Sequence, residues 1–158
     1  MNIILAEVTE DNFWDLIQLK SDEVQETRIQ IFERWVGSNV FFLGVCHVYG
    51  FTARAIYDGG TLIGFASFGY RKEHERYELI SVMLGHPYQG KGYGKAILQA
   101  IIDTMVDLYE CKEIYLSVIH NNERAIRTYE KMGFKPTGEI EKGFHDEPVY
   151  CLKLNSNE

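Results

Sequence analysis

The sequence predicts a single α/β domain whose sheet mixes hairpin and crossover connections. Segments that alternate apolar and polar residues are interleaved with amphipathic helical segments along the whole chain. Hydrophobic residues make up 46% of the 158 residues, which is enough for a buried core without disulfides or a structural metal. Because no repeat, low-complexity tract or linker divides residues 1–158, we expect one domain.

The first fifty residues predict one strand and at least two helices. Residues 3–8 alternate as a strand does, and Thr9 is a suitable N-cap for a helix that runs to about Lys20. A second helix is expected over about 23–36, because helical spacing continues there as far as Gly37. Residues 40–49 are unusually apolar and leave open a loop with a short helix or strand that shapes a pocket.

From Phe51 the pattern changes to period two. Residues 52–57 and 61–68 flank the turn Asp58-Gly59-Gly60, which predicts a β-hairpin. The elements expected after it are a strand at 78–84, a strongly amphipathic helix at 95–109, a strand at 113–118, a helix at 123–132 ended by Gly133, and strands near 137–140 and 149–154.

Composition excludes several classes of function. The net charge of −7 and the pI near 5.3 lack the basic footprint of a nucleic-acid-binding module, and a negative surface favours cationic small molecules. Three separated cysteines form no CxxC pair, so we expect ordinary thiols in a reducing compartment and no metal site. Without a signal-like N-terminus or an apolar run of about 20 residues, the prediction is a soluble cytoplasmic protein without membrane partners.

A glycine-rich turn, Gln89-Gly90-Lys91-Gly92-Tyr93-Gly94, lies between a predicted strand and a long helix. Glycines let the backbone approach a ligand closely, and the N-terminus of the following helix attracts anions, so a diphosphate fits best. A Rossmann turn needs GxGxxG, whereas these glycines run GxGxG. A Walker A loop needs a hydroxyl where Gly92 stands. The turn satisfies the pattern [RQ]xxGx[GA], although a plain strand-to-helix connection remains an alternative.

A second motif stands at the next strand-to-helix junction. The segment from Asn122 to Phe134, NERAIRTYEKMGF, resembles the NxxAxxxYxxxGF signature of the GNAT superfamily of N-acetyltransferases, and both motifs occur in order. The resemblance covers roughly residues 56–154. It implies an α/β (α+β) GNAT-type domain with a mixed central sheet of about six to seven strands, helices on both faces, and two splayed parallel strands that bind acetyl-CoA.

The resemblance also implies the ligands of acetyl-CoA. The backbone of Val82, Met83 and Leu84 would hold the pantetheine amides and the acetyl carbonyl as an added strand does. The diphosphate would lie on the amides of Gln89, Gly90, Lys91, Gly92, Tyr93, Gly94 and Lys95. Asn122 matches the family asparagine that binds pantetheine, while a helix N-cap before Glu123 is an equal alternative.

Two residues match the family's catalytic positions. Tyr129 matches the general acid that protonates or hydrogen-bonds the departing thiolate, and its alternative is a core tyrosine. Glu78 stands eleven residues before Gln89, where some members place a general base, and as a strand residue it would share a face with Ile80 and Val82. A solvated glutamate is an equal alternative for Glu78. His120 and direct loss of the proton to solvent remain open as well.

Residues 8–14 (VTEDNFW) near the beginning of the chain, and residues 136–139 (PTGE) and 149–154 (VYCLKL) near its end, are similar to bacterial spermidine/spermine (polyamine) acetyltransferases. The acids Asp22, Glu23, Glu26 and Glu33 fall in the helical region that walls the acceptor site in that family, and a polycation suits them. The strand at 79–83 lacks the acidic residues that some polyamine enzymes carry before the cofactor site. An amino acid, an aminoglycoside or a peptide therefore stays open as the acceptor, and a non-catalytic CoA-binding regulator is a weaker alternative. A homodimer is left open.

Overall fold

A computed structural model describes residues 1–21, 38–142 and 145–155. The helix expected over 23–36, with the four acids named above, lies outside these residues. The described elements are β1 (Ile3–Glu7), α1 (Phe13–Gln18), α2 (Asn39–Tyr49), β2 (Thr52–Asp58), β3 (Thr61–Arg71), β4 (Arg76–Leu84), a 3₁₀ turn (His86–Tyr88), α3 (Gly94–Tyr109), β5 (Glu113–Ser117), α4 (Glu123–Lys131), β6 (Lys135–Lys142) and β7 (Asp146–Lys153).

The seven strands form one sheet in the order β1-β2-β3-β4-β5-β7-β6. Neighbouring strands are antiparallel except β4 and β5, which are parallel and are joined by a crossover through α3. The first hairpin closes at Asp58 opposite Thr61, as the turn sequence predicts. The mixed sheet of the predicted fold class is thereby confirmed, with the upper of the two expected strand numbers.

Helices cover both faces of the sheet. On one face, Ile97, Ile101 and Met105 of α3 are buried in the larger core, and Ile126 of α4 packs against it. On the other face, Leu16 of α1 packs with residues of β2 and β3, and side chains of α2 join it. We call these the α3–α4 face and the α1–α2 face. None of the described helices is long and apolar enough to cross a membrane.

Local hydrogen bonds explain two departures from the expected elements. The first helix begins at Phe13, because Asn12 Oδ1 accepts from the Thr9 amide at 2.9 Å and a turn occupies residues 9–12. Thr9 is therefore not the N-cap. The ambiguous segment 40–49 is helical throughout: the Ser38 side chain caps it by accepting from the Phe41 amide, and Gly50 ends it at φ +73°.

Candidate active site

The parallel strands β4 and β5 separate soon after they meet. Their ladder contains a single register pair, Glu78 opposite Tyr115, although β4 continues to Leu84. The far edge of β4 remains paired with β3 up to Gly64 opposite Leu84. The edge of β4 over residues 79–84 therefore faces a gap, where an extended ligand can add its own hydrogen bonds as a further strand would.

A β-bulge lies in β4 beside this gap. Ser67 is opposite Ser81 and Phe68 is opposite Leu79, so Ile80 has no register partner. The Ser67 and Ser81 hydroxyls are hydrogen-bonded to each other, and Ser67 also bonds the Cys46 thiol of α2, so both serines lie on the α1–α2 face; Leu79 packs in the core of the α3–α4 face. Glu78 therefore shares a face with Ser81 and not with Val82, which pairs with Ala66 on the α3–α4 face, so that part of the expectation is wrong; the extra residue inverts the alternation.

The glycine-rich turn leads from β4 into α3 and leaves open space on its outer side. Gly90 and Gly92 have φ values of +72° and +82°, a conformation that favours glycine. A Cβ placed on Gly92 would meet no atom within 4 Å. No side chain among the described residues caps the N-terminus of α3 at Tyr93, so the first amides of the helix are available to a ligand. These features fit a diphosphate.

Two residues of the turn brace it from within. The Gln89 amide donates to His86 O at 3.2 Å, and Gln89 Nε2 donates to Leu84 O at 2.9 Å. The backbone amide of Gln89 and one N–H of its side chain are thus used inside the turn. The Tyr93 hydroxyl donates to Asp58 Oδ2 at 2.6 Å, which ties the turn to the β2–β3 hairpin and raises the pKa of Tyr93. The amides of residues 90–95 stay the predicted anion-binding groups.

Tyr129 lies on α4, the helix that follows β5, and Asn122 directly precedes that helix. The Asn122 side chain accepts from the Ala125 amide at 3.4 Å, so Asn122 does cap α4. Tyr129 is half-buried, and its ring centroid lies 5.8 Å from that of Phe134. Burial raises the pKa of Tyr129 to about 12. Its hydroxyl has no hydrogen-bonding partner among the residues that the structure describes, so it remains a neutral donor available to a ligand.

Glu78 lies at the point where β4 and β5 separate, and it is 4% exposed. Its carboxylate contacts Arg71 Nη1 at 2.9 Å, His74 Nδ1 at 2.8 Å and Arg76 Nε at 2.7 Å. Burial by itself would raise the pKa of Glu78, but the hydrogen bonds from His74 and the two arginines outweigh it and hold that pKa below its usual value. These contacts keep Glu78 ionised and held in place, which suits a structural carboxylate better than a general base.

The same arginines tie β6 to the centre of the sheet. Arg71 also binds Glu141, and Arg76 binds Glu139 at 2.9 Å while its guanidinium lies 4.4 Å from the centroid of the Tyr115 ring. We call the group of charged side chains here the acidic cluster, because carboxylates outnumber guanidiniums in it: Glu73, Glu78, Glu139, Glu141 and Glu147 against Arg71 and Arg76.

Glu147 is the member of the acidic cluster on β7, and it faces another carboxylate. It is half-buried on β7 and stands directly opposite Glu141 of β6. Burial and then the Glu141 carboxylate raise the pKa of Glu147. His120, by contrast, is exposed in the turn after β5. In the described ranges, no group of three or more histidine, cysteine or acidic side chains is arranged to hold a metal ion.

Comparison with known proteins agrees with this geometry. The model of the acetyltransferase (GNAT) family matches residues 7–134. The chain belongs to that family. It is 34% identical over 160 residues to the spermine/spermidine N(1)-acetyltransferase of Bacillus subtilis, which covers 98% of this chain and 100% of that protein. The predicted family and the predicted enzyme class are confirmed: the protein is an N-acetyltransferase that uses acetyl-CoA.

Solved structures share the fold of this acetyltransferase. A spermidine N-acetyltransferase from Vibrio cholerae, in complex with CoA and spermine, has a TM-score of 0.76 at 18% identity and covers 97% of this chain and 96% of that one. A dodecameric structure of spermidine N-acetyltransferase from the same organism has a TM-score of 0.68 at 18% identity, with 96% and 94% covered. At this level of identity the likeness concerns the fold alone.

Arg124 lies near the glycine-rich turn of this acetyltransferase, and the sequence analysis did not predict it as a site residue. Arg124 Nη1 lies 4.0 Å from the position of a Cβ on Gly90, and Thr128, one helical turn later, lies 3.5 Å from a Cβ on Gly94. Both belong to α4, which places this face of α4 against the turn. The signal was present, since Arg124 stands inside the NxxA motif, but only the fold shows that this motif and the glycine turn are neighbours.

Proposed function

We propose that this acetyltransferase moves the acetyl group of acetyl-CoA to a primary amine of a small polycation such as spermidine or spermine. The observation that carries the proposal is the 34% identity to the Bacillus subtilis spermine/spermidine enzyme over nearly the full length of both chains. The acidic cluster on the α1–α2 face supports it, because surplus carboxylates beside the gap attract a ligand with several positive charges.

In this proposal acetyl-CoA occupies the gap between β4 and β5. The backbone of Val82, Met83 and Leu84 pairs with the acetyl and pantetheine groups, and the amides from Gly90 to Lys95 hold the diphosphate. The Arg124 guanidinium adds a positive charge beside Gly90. Lys91 and Lys95 add charge near the same anion, Asn122 offers its amide group to pantetheine as well as capping α4, and Gln89 acts as the internal brace of the turn.

The reaction is a direct attack of the neutral amine on the thioester carbon. A carbon–nitrogen bond forms, the carbon–sulfur bond breaks, and the electron pair leaves with sulfur. The Tyr129 hydroxyl donates a hydrogen bond or its proton to that thiolate, and the proton lost by nitrogen goes to a base or to water. Glu78 and His120 stay candidates for that base, although the low pKa of Glu78 favours water in the gap as the acceptor.

The decisive experiment measures release of free CoA from acetyl-CoA with a panel of amines. Spermidine, spermine, amino acids, an aminoglycoside and peptides with a free N-terminus would be compared at the same concentration, and the product identified by mass spectrometry. We expect kcat/KM to be highest for the two polyamines. If both stay inert while another amine turns over, the acceptor is not a polyamine and the acetyltransfer chemistry remains.

Two further parts of the proposal concern the setting of the enzyme. Three free cysteines, all buried, suit a reducing compartment, and we propose the cytoplasm. The dodecameric Vibrio cholerae structure favours a homo-oligomer, of which the homodimer is the smallest form. Light scattering coupled to size-exclusion chromatography gives the mass, and a monomer at micromolar concentration would contradict this part.

A further inference from the structure

The side chain of Asn39 joins three elements next to the gap. Asn39 is the first residue of α2 and is 3% exposed. Its Nδ2 donates to Leu16 O of α1 at 2.8 Å and lies 3.7 Å from Met83 Sδ of β4. The amide group of Asn39 therefore lies against the Met83 side chain, which projects from the strand whose backbone, in the proposed function, holds the acetyl end of acetyl-CoA.

The oxygen of that amide group is left without a donor. Because Nδ2 lies between two acceptors, Leu16 O and Met83 Sδ, the nitrogen and oxygen of the amide are assigned unambiguously. The Oδ1 atom is buried, and no donor reaches it among the residues that the structure describes. Ser38 already caps α2, so Oδ1 is not needed for capping. A buried carbonyl oxygen without a partner is rare in native proteins and calls for one.

The bulge at Ile80 determines which ligand can supply that partner. It puts the Met83 side chain on the α1–α2 face, where Met83 packs with Leu16 and Phe65. Val82, whose backbone is proposed to hold the acetyl carbonyl, is the residue just before Met83. Because Asn39 lies beside the Met83 side chain, an amine that attacks the acetyl carbon from the α1–α2 face approaches on the side of β4 where Asn39 lies. It carries N–H donors, which the thioester end of acetyl-CoA lacks.

We infer that Asn39 Oδ1 accepts a hydrogen bond from the amine that is acetylated, and that Asn39 helps to bind and orient this amine. This rests on the proposed function of the gap as the acetyl-CoA site. One N–H of the neutral amine binds Oδ1, while the nitrogen lone pair remains directed at the thioester carbon. The contact thus both satisfies the buried oxygen and orients the nucleophile.

The test compares Asn39→Leu with Asn39→Asp. Leucine has a similar volume and removes the acceptor, so we expect kcat/KM for spermidine to fall about tenfold while the KM for acetyl-CoA changes less than about twofold. Aspartate keeps an acceptor but brings an oxygen against the Leu16 carbonyl, so it should be the less stable variant in thermal unfolding. We nevertheless expect Asn39→Asp to retain more spermidine kcat/KM than Asn39→Leu.

If Asn39 had a purely structural role, the less stable variant would also be the less active one. A less stable but more active Asn39→Asp would therefore indicate contact with the amine. If activity follows stability, or if kcat/KM for the amine is unchanged in both variants, the inference is overturned. A rise confined to the acetyl-CoA KM assigns Oδ1 to pantetheine and overturns it as well. Calorimetric binding of CoA to each variant establishes that the compared proteins are folded.

The wild-type amine panel separates this inference from the proposed function. If the wild type acetylates another amine and neither polyamine, the polyamine proposal fails, and the two Asn39 variants are compared with the amine that reacts. A less stable but more active Asn39→Asp then supports the role of Asn39. If no amine in the panel is acetylated by the wild type, the inference about Asn39 fails together with the proposed function.

Discussion

Replacing Tyr129 with phenylalanine tests the proposed chemistry most directly. The change removes one hydroxyl that has no hydrogen-bonding partner in the described part of the chain, and it keeps the ring that packs near Phe134. The substitution should change the stability of the folded protein very little, so we expect Tm to stay within about 2 °C of the wild type. Any large effect on turnover then concerns the ligand.

The pKa of Tyr129 indicates whether its hydroxyl transfers a proton to the thiolate or only donates a hydrogen bond to it. A thiolate leaving group has a pKa of about 8.5, well below the pKa of about 12 to which burial raises Tyr129. Full proton transfer from this phenol to the thiolate would therefore be unfavourable. The phenol therefore acts mainly as a hydrogen-bond donor to the thiolate. A hydrogen bond to a charged group contributes about 1.5–3 kcal/mol, so kcat should fall about 10- to 150-fold.

The assay is steady-state CoA release, with acetyl-CoA and the amine varied in turn. The KM for acetyl-CoA should change little, because the contact strengthens only as negative charge develops on sulfur. A matched control is Tyr109→Phe at the other end of α3, about 22 Å along the helix from Gly94. That variant loses a 2.6 Å hydrogen bond to Thr52 and should keep its kcat.

Two results would refute this reasoning. One is a kcat for Tyr129→Phe within about threefold of the wild type, because less than about 0.7 kcal/mol would then be at stake. The other is a basic limb in the wild-type kcat profile, with a pKa near 9, that the variant abolishes. Since the pKa of Tyr129 is about 12, its phenol should stay protonated throughout the range from pH 6 to 10.

Three further predictions concern the ionic network and the cofactor turn. Breaking the buried contacts of Glu78 by Glu78→Gln should cost about 3–5 kcal/mol of unfolding free energy near pH 7. The pKa of Glu78 is lower in the folded state than its usual value of 4.5. The difference in unfolding free energy should therefore be fully present above pH 4.5 and should shrink as the pH falls through the folded-state pKa. A difference that does not change with pH in urea titrations would contradict this prediction. Gly92 has φ +82°, so Gly92→Ala should strain the turn and raise the KM for acetyl-CoA. The control is Gly59→Ala, which is similarly strained at φ +57° in the hairpin turn and should leave that KM unchanged. Arg124→Gln should weaken the binding of CoA, measured by calorimetry, about tenfold, and the loss should be larger at low salt than at high salt. The control is Arg127→Gln at an exposed position of the same helix, which should bind CoA as the wild type does.

Local signals in the sequence predict much of the fold. The Gly59-Gly60 hairpin, the helix after the glycine turn and the stop at Gly133, which has φ +98°, all depend on neighbours in sequence. The helix over 39–49 also had local signals, Ser38 before it and Gly50 after it, but its uniformly apolar sequence carries little periodicity and left the alternatives open.

Long-range pairing explains what the sequence could not predict. The bulge at Ile80 arises from how β3 aligns with β4, and no residue type in β4 marks it. The contacts of Glu78 with Arg71 and Arg76 connect to β6 through pairs that span more than sixty residues. Arg124 near Gly90 likewise depends on how α4 packs against the turn. Each of these shapes the candidate site, and none follows from a single segment.

The position of Glu78 shows how a motif position and a chemical role can separate. Its spacing from Gln89 indicates a base, yet the bulge turns the strand so that Glu78 faces two arginines and a histidine on the α1–α2 face. A carboxylate with a lowered pKa is a weak proton acceptor, but it holds Arg71 and Arg76, and these hold β6 through Glu141 and Glu139. If the amine gives its proton to water in the gap, Glu78 acts by keeping the acidic cluster assembled where the polycation binds. Its replacement should then weaken amine binding and stability together, and leave the acid limb of the pH–rate profile in place.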